Sequence, residues 1–299
     1  MRTILSLTAL ALLAVTAEAE TAETEAPTCA EGQAVSFEDL AAAHKAILFG
    51  DYHGTQEMPE AFGDAVAEAA GGDRRVVVAL EYPANWQPDL DAMMAAPDEV
   101  MALDVFARRS TRDGRTSEAM RNLLLQLRAL KLAGADVTVR AIDMARPAPN
   151  AVSRAAELGL PPEIDQQRGL RNIIMGLNSV EACEMVECDL LMMFSGNAHT
   201  RLDVRDSASY MPTEGEITSY REAAAGNIIV RKMPTASVYL SHRGGYARNQ
   251  SPDGVFGLRE LTPTAPGYVA EDRTYYCTGE RDRYTHVFSV GPVSPAMGK

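Results

Sequence analysis

The chain has 299 residues, 46% of them hydrophobic, and its acidic residues outnumber the basic ones 41 to 28, a net charge of -13. That balance argues against nucleic acid or an anionic membrane surface as a partner, since both call for a basic face. The length suffices for one large α/β domain with a substantial core.

Residues 1–19 read as a secretory signal. Arg2 supplies a positive start, Ile4 to Val15 an apolar run, and Ala17-Glu18-Ala19 a small-x-small cleavage site. The run is short for a membrane span and no later one reaches spanning length, so no membrane span is expected after cleavage. A periplasmic or secreted location follows. Residues 20–36 are expected to be an acidic flexible segment. With no internal repeat or long low-complexity linker, 37–299 is expected to be a single domain.

The first strand is Lys45 to Asp51, and a helix follows from about Pro59 to Ala70, stopped by Gly71-Gly72. Arg75 to Glu81 is the second strand, its run Val76 to Leu80 too apolar to be half-exposed. Pro83, Pro88 and Pro97 then break up a loop with short helical pieces as far as Arg109. Ser110 to Thr116 is a polar loop, and Ser117 caps a helix reaching Leu132. Met120, Leu123, Leu124, Leu127 and Leu130 give that helix one apolar face. Val137 to Ile142 is the third strand, helices occupy Ala151 to Leu158 and Gln166 to Asn178, and Asp189 to Ser195 is the fourth strand. Ile217 to Ala225 then reads as a helix, and Asn227 to Arg231, Ser237 to Ser241 and His286 to Val290 read as strands. Gly244 to Tyr268 reads as a long loop, of the kind that is functional or mobile. The alternation predicts an α/β fold: a central, mainly parallel sheet flanked by helices, with its site at the carboxyl ends of the strands.

Four cysteines suit an oxidising compartment. Three pairings are possible on paper. The close spacing of Cys183 and Cys188 favours a bridge across a helix-to-strand turn, which leaves Cys29 with Cys277. A metal site is the alternative, but no Cys-x-x-Cys spacing is present.

Two of only five histidines end apolar runs through the same step, Gly-x-x-His: Gly50 to His53 and Gly196 to His199. Glu81 and Asp143 close the second and third strands, and Asp51 closes the first. A carboxylate at the edge of a core is costly unless it is paired, protonated or metal-bound. Parallel strands would bring all of these side chains to one rim.

Gly50-Asp51-Tyr52-His53-Gly54-Thr55-Gln56-Glu57 resembles the first motif of the erythromycin esterase, ChaN and Tiki/TraB superfamily. Ala79-Leu80-Glu81-Tyr82-Pro83 resembles its second motif and Gly196-Asn197-Ala198-His199 its last. Asp113-Gly114-Arg115-Thr116-Ser117, ahead of a leucine-rich helix, is similar to the exported ChaN-like members. The resemblance implies an α/β domain with paired histidines and a glutamate in one cleft. Esterase members hydrolyse a macrolactone with histidine-activated water, Tiki members resemble metal-dependent proteases, and ChaN members are linked to haem and iron uptake. Asp51 stands where the family usually has glutamate, which withdraws the carboxylate by a methylene.

Three functions compete. In a hydrolase, His53 would be the general base, Glu81 would orient it or hold the water, and His199 would be acid or oxyanion partner. Arg115 would then neutralise the developing charge, with Asp51 beside His53. A metal-assisted version would place a divalent metal ion on His53, Glu81 and His199. In a binding protein, Tyr52, His53 or His199 would supply axial ligands to haem. The third reading, motivated by Asp51, is a scaffold that has lost its chemistry. The expected partner in the first two is a small-molecule or peptide ligand.

Overall fold

The apolar runs become neighbours in one sheet, but in an order that is not the order of the chain. The computed structural model describes residues 29–111, 113–145, 147–148, 150–211, 216–250, 254–263, 271–279 and 283–297. The expected signal sequence, residues 1–19, lies outside the described residues. The chain enters through β1 (Ala34–Val35) and α1 (Phe37–Ala43), then runs β2 (Ala46–Asp51), α2 (Glu57–Ala70) and β3 (Val76–Pro83). A short 3-10 turn leads into α3 (Gln87–Met94), α4 (Glu99–Phe106), α5 (Glu118–Leu132) and β4 (Val137–Asp143). Next come α6 (Ala151–Ala156), α7 (Leu170–Val186), β5 (Leu190–Gly196) and the single turn α8 (Asn197–Thr200). The remainder is β6 (Val204–Met211), β7 (Glu216–Ala223), α9 (Ala225–Val230), β8 (Thr235–Ser241), β9 (Gly245–Gln250), β10 (Phe256–Leu261), β11 (Tyr275–Cys277) and β12 (His286–Ser289).

The main sheet has eight strands in the order β1-β11-β12-β8-β2-β5-β3-β4. The six strands from β12 to β4 pair in parallel, and β11 and β1 add an antiparallel edge. This is the expected α/β architecture. Both faces are covered, which is why the strands are apolar throughout rather than alternating. Ile47, Phe49, Val76, Val78, Leu80, Met192 and Phe194 pack with Phe62, Leu123, Leu124 and Leu127 of α2 and α5. Their sequence neighbours Leu48, Val77, Ala79, Leu191 and Met193 pack with Met175, Val180 and Ile229 of α7 and α9. The two-residue period of the strands sorts the side chains between the two layers. Ser117 caps α5 as expected, its hydroxyl accepting from the Met120 amide.

Of the segment 20–36, residues 20–28 lie outside the described residues, β1 pairs with β11, and Cys29 is bridged to Cys277. Three local expectations are corrected. Residues expected as a helix from Ile217 form β7, which pairs along its full length with β6. The segment expected as a strand from Asn227 is α9, because Ile228 and Ile229 bury against α7, where Gly176 leaves room for Ile228. The long loop from Gly244 instead contains a hairpin, β9 with β10, in register from Gly245–Leu261 to Gln250–Phe256. For α9 a partner distant in sequence overrides local propensity, whereas for β7 and β9 the partner is the neighbouring strand of a hairpin.

Cys183–Cys188 closes the turn from α7 to β5, and Cys29–Cys277 ties the N-terminal tail to the sheet edge; among the described residues no cysteine is free. Their sequence separations are 5 and 248 residues. Restricting the unfolded chain is therefore worth about 2 kcal/mol for the first and about 5 kcal/mol for the second. Mass mapping of unreduced peptides should return both links. The Cys29→Ser/Cys277→Ser variant should melt lower than Cys183→Ser/Cys188→Ser, and the reverse order would contradict the loop-length argument.

Candidate functional site

The site exists because β5, late in the chain, inserts between β2 and β3. Its register sets Gly196 beside Asp51, and Glu81 follows directly after the Leu80–Phe194 pair. Asp143, at the end of β4, stands opposite Pro83. The carboxyl ends of four adjacent strands thus form one polar rim over an apolar sheet. Ligands gather at this edge in open α/β sheets.

His199 reaches the rim from α8, which lies tightly over β2. A Cβ at Gly50 would stand 2.4 Å from the Thr200 hydroxyl oxygen and 2.9 Å from the Asn197 Cα, so that approach requires glycine. His53 reaches it from the turn after β2. There Gly54 and Gly114 both have positive φ, and a Cβ on Gly114 would sit 2.5 Å from the Gly54 amide nitrogen. Two loops distant in sequence meet backbone to backbone at this point. The hairpin strand β9 locks the same turn: the Arg248 amide donates to the Gly54 carbonyl and the Asn249 side chain to the His53 carbonyl.

Glu81 is buried at the centre of the cluster. One of its oxygens accepts from Arg115 Nη1 at 3.0 Å and Arg171 Nη2 at 2.7 Å. The other accepts from the Gly196 amide at 2.8 Å and lies 3.2 Å from His53 Nε2. Burial opposes its ionisation, but the surrounding imidazoles and Arg115 outweigh burial and hold its pKa well below the usual carboxylate value. Arg171 grips Asp143 with Nε and Nη2, at 2.8 and 2.7 Å. Arg115 spans Asp113, Asp143 and both the carbonyl and the carboxylate of Glu81.

The two imidazoles share this glutamate and differ in setting. His53 has a carboxylate at each ring nitrogen: Asp51 lies 3.0 Å from Nδ1, and Glu81 faces Nε2. Nδ1 donates to Asp51 and Nε2 stands at ion-pair distance from Glu81, a setting that favours the imidazolium. Burial works against that charge, but Asp51 and Glu81 together raise its pKa well above the ordinary histidine value. His199 donates from Nδ1 to the Asn172 side-chain oxygen at 2.5 Å, while its Nε2 faces Arg171 Nη1, a donor, at 3.5 Å. Burial first, then the Arg171 and His53 charges, lower its pKa despite Glu81 at 3.6 Å. These surroundings favour a neutral His199, whose lone pair, with Nδ1 donating to Asn172, lies on Nε2.

His53, Glu81, His199, Arg115 and Asp51, expected from the sequence, therefore converge. The shorter Asp51 still reaches His53 because the two are separated by one residue on the same turn. Tyr52 stands apart: it is 36% exposed, its amide donates to Met58, and among the described residues its hydroxyl bonds to none of the cluster. The residues not anticipated as site members are Arg171 and Asn172. A signal was present for Arg171 alone, since an arginine in the first turn of a helix opposes the helix dipole and asks for a specific anionic partner.

As a metal site the trio of His53, Glu81 and His199 fits poorly. Both oxygens of Glu81 already accept from cations or an amide, and a ligand set would have to displace Arg115 and Arg171. Among the described residues these three do not form a cluster with metal-ligand spacing.

The sequence matches no family profile and no curated protein. Solved structures do match over nearly the whole chain. A Bacillus cereus protein superposes with a TM-score of 0.63 at 12% identity, covering 89% of this chain and 94% of its own. A histidine-to-asparagine variant of the erythromycin esterase EreC, in its open conformation, gives a TM-score of 0.57 at 10% identity, covering 86% and 93%. A succinoglycan biosynthesis protein gives 0.57 at 10% identity over 92% and 96%. The fold of this chain is the erythromycin esterase-like fold.

Proposed function

We propose that the chain is an exported hydrolase acting on an ester or lactone, with the rim of β2, β5 and β3 as its active site. The observation that carries this reading is a pair of imidazoles in unlike settings around one glutamate, His53 between two carboxylates and His199 between an amide oxygen and a guanidinium. General acid–base chemistry at neutral pH needs such a pair, and separate environments create it. His199 Nε2 takes the proton of the attacking water, and Asn172 fixes the tautomer that leaves this lone pair available. The sequence-based roles of the histidines are thereby exchanged: His53, protonated in this setting, is no base, and its Nε2–H turns from the 3.2 Å contact with Glu81 to deliver a proton to the leaving oxygen. Among the described residues Arg171 Nη1 has only the long contact to His199, so it is the donor available to the developing oxyanion. Glu81 orients both rings and both arginines. Arg115 acts through it, as a positioning residue. The two disulfides support export, and no described helix is long and apolar enough to cross a membrane.

The test is an ester and lactone panel run on purified protein, with metal analysis and an absorption spectrum of the same sample. Turnover that survives a chelator is expected. A haem role, the alternative reading, would need a ring nitrogen released from the bonds described. A Soret band retained on gel filtration, with no turnover, would replace the hydrolase reading by that one. Stoichiometric metal whose removal abolishes turnover would replace the proton-transfer scheme by a metal-assisted one. Asn172→Ala should lower kcat by about tenfold or more and leave KM little changed, because it frees the His199 ring to rotate.

A further inference from the structure

At the opposite edge of the sheet, Cys29, Cys277 and His286 each present one ligand atom, and all three atoms lie within 4.8 Å of one another. The sheet itself builds this cluster. Cys277 and His286 are directly opposed residues of β11 and β12, so their side chains share a face. Cys29 is brought there by the tail, whose Gly32 amide donates to the Cys277 carbonyl at 2.8 Å and whose Gln33 carbonyl accepts from the Cys277 amide at 2.9 Å. These backbone bonds hold the tail in place independently of the disulfide.

The Thr285 hydroxyl, 2.8 Å from His286 Nδ1 and 3.2 Å from the Ser237 carbonyl, holds the ring with Nε2 turned to Cys29 Sγ 3.5 Å away. The oxidised sulfur carries no hydrogen, so Nε2–H donates in that contact; with a cation bound the proton would sit on Nδ1, the Thr285 hydroxyl would accept it, and the Nε2 lone pair would be free to coordinate. With zinc–sulfur and zinc–nitrogen bonds of about 2.3 and 2.0 Å, the S···N edge of a tetrahedron is about 3.5 Å. A hydrogen-bond acceptor on the second ring nitrogen is the usual support of a metal-bound imidazole, and here the Thr285 hydroxyl stands in that place. A cavity of about 200 Å³, lined by Cys29, Leu40, His44 and His286 among others, adjoins the cluster and gives a fourth ligand, water, room to enter.

We propose that Cys29, Cys277 and His286 form a redox-gated site for a thiophilic divalent cation of the zinc class. The site is closed while the disulfide stands and opened by a dithiol reductant. The disulfide takes two electrons and two protons from the dithiol, which becomes a disulfide, and yields two thiols. On binding, those thiols release two protons to solvent and two sulfurs and one imidazole nitrogen coordinate the cation. This site is independent of the hydrolase rim.

The probe is Co²⁺ added to the full-length Cys183→Ser/Cys188→Ser protein, reduced with a phosphine and desalted without oxygen. One equivalent should produce thiolate-to-cobalt charge-transfer absorption and tetrahedral d–d bands, and the oxidised protein should produce neither. His286→Ala should weaken binding at least tenfold. Thr285→Ala, which leaves all three ligands, should weaken it by about 10–100-fold. In reduced wild type, Zn²⁺ should shield Cys29 and Cys277 from alkylation, a reading that does not depend on the serine variant folding. Absence of the bands, equal affinity in the His286 variant, or loss of far-UV structure on reduction would each overturn the proposal.

Discussion

Replacing Glu81 with glutamine should lower the stability of the fold by about 3–5 kcal/mol, the cost of leaving buried charges without their counter-ion. Four groups lean on this one carboxylate: Arg115, Arg171, His53 and the Gly196 amide. Glutamine keeps the shape and one acceptor but loses the charge, so two guanidinium groups and an imidazolium face one another with only Asp51, Asp113 and Asp143 in balance. The midpoint of chemical denaturation should fall while the slope stays unchanged, since the surface exposed on unfolding is the same. A loss below about 0.5 kcal/mol would mean that Glu81 is not the keystone of the cluster. The pH dependence has two limbs of known sign. Glu81 is depressed in the folded state, so its contribution is present above its unfolded pKa and fades as pH falls through the folded value, well below 4.5. His53 is raised, so its contribution is complete below 6.5 and fades as pH rises through a folded value well above 6.5. Wild type should therefore be most stable across neutral pH, and the Glu81→Gln variant should lose much of both limbs.

Replacing His199 with alanine should reduce kcat/KM by about 10²–10⁴-fold with the fold intact, the range for removal of a general base. The wild-type pH–rate profile should form a plateau through neutrality. Its acid limb lies below 6.5, where His199 gains a proton, because burial and the neighbouring cations lower that pKa. Its alkaline limb lies well above 6.5, where His53 loses its proton. The His199→Ala variant should lose the acid limb and keep the alkaline one, and His53→Ala the converse. Because the rings share Glu81, the double variant should cost far less than the product of the two single losses. An acid limb that persists without His199 would assign the base to another residue.

How much of this could be read in the sequence is clearest at particular residues. Asp51, His53, Glu81 and His199 were legible because each follows a run too apolar to be anything but a buried strand, and a polar residue there needs a reason. Arg171 was harder to see, since it sits 90 residues from Glu81 and 28 from Asp143 and His199. Only its place in a first helical turn hinted at a partner. The hairpin β9–β10 was obscured by its glycine, proline and polar content. Yet Arg248 and Asn249 within it fix the turn that carries His53.

The sequence by itself determined the α/β class, the apolar strands, the capped helix α5 and the set of ionisable residues at the strand ends. Each of these is a local pattern, written by hydrophobic periodicity or by a residue beside its own strand or helix. The tertiary structure alone decided that β5 enters between β2 and β3, that α9 is a helix, and what surrounds each imidazole. Those outcomes depend on groups far apart in the chain, whereas β7 is a strand through the neighbouring β6. His53 and His199 arrive by the same four-residue step, and they differ because one meets two carboxylates while the other meets an amide oxygen and a guanidinium. A proton's place is set by that surrounding field, which exists only once the strands have assembled.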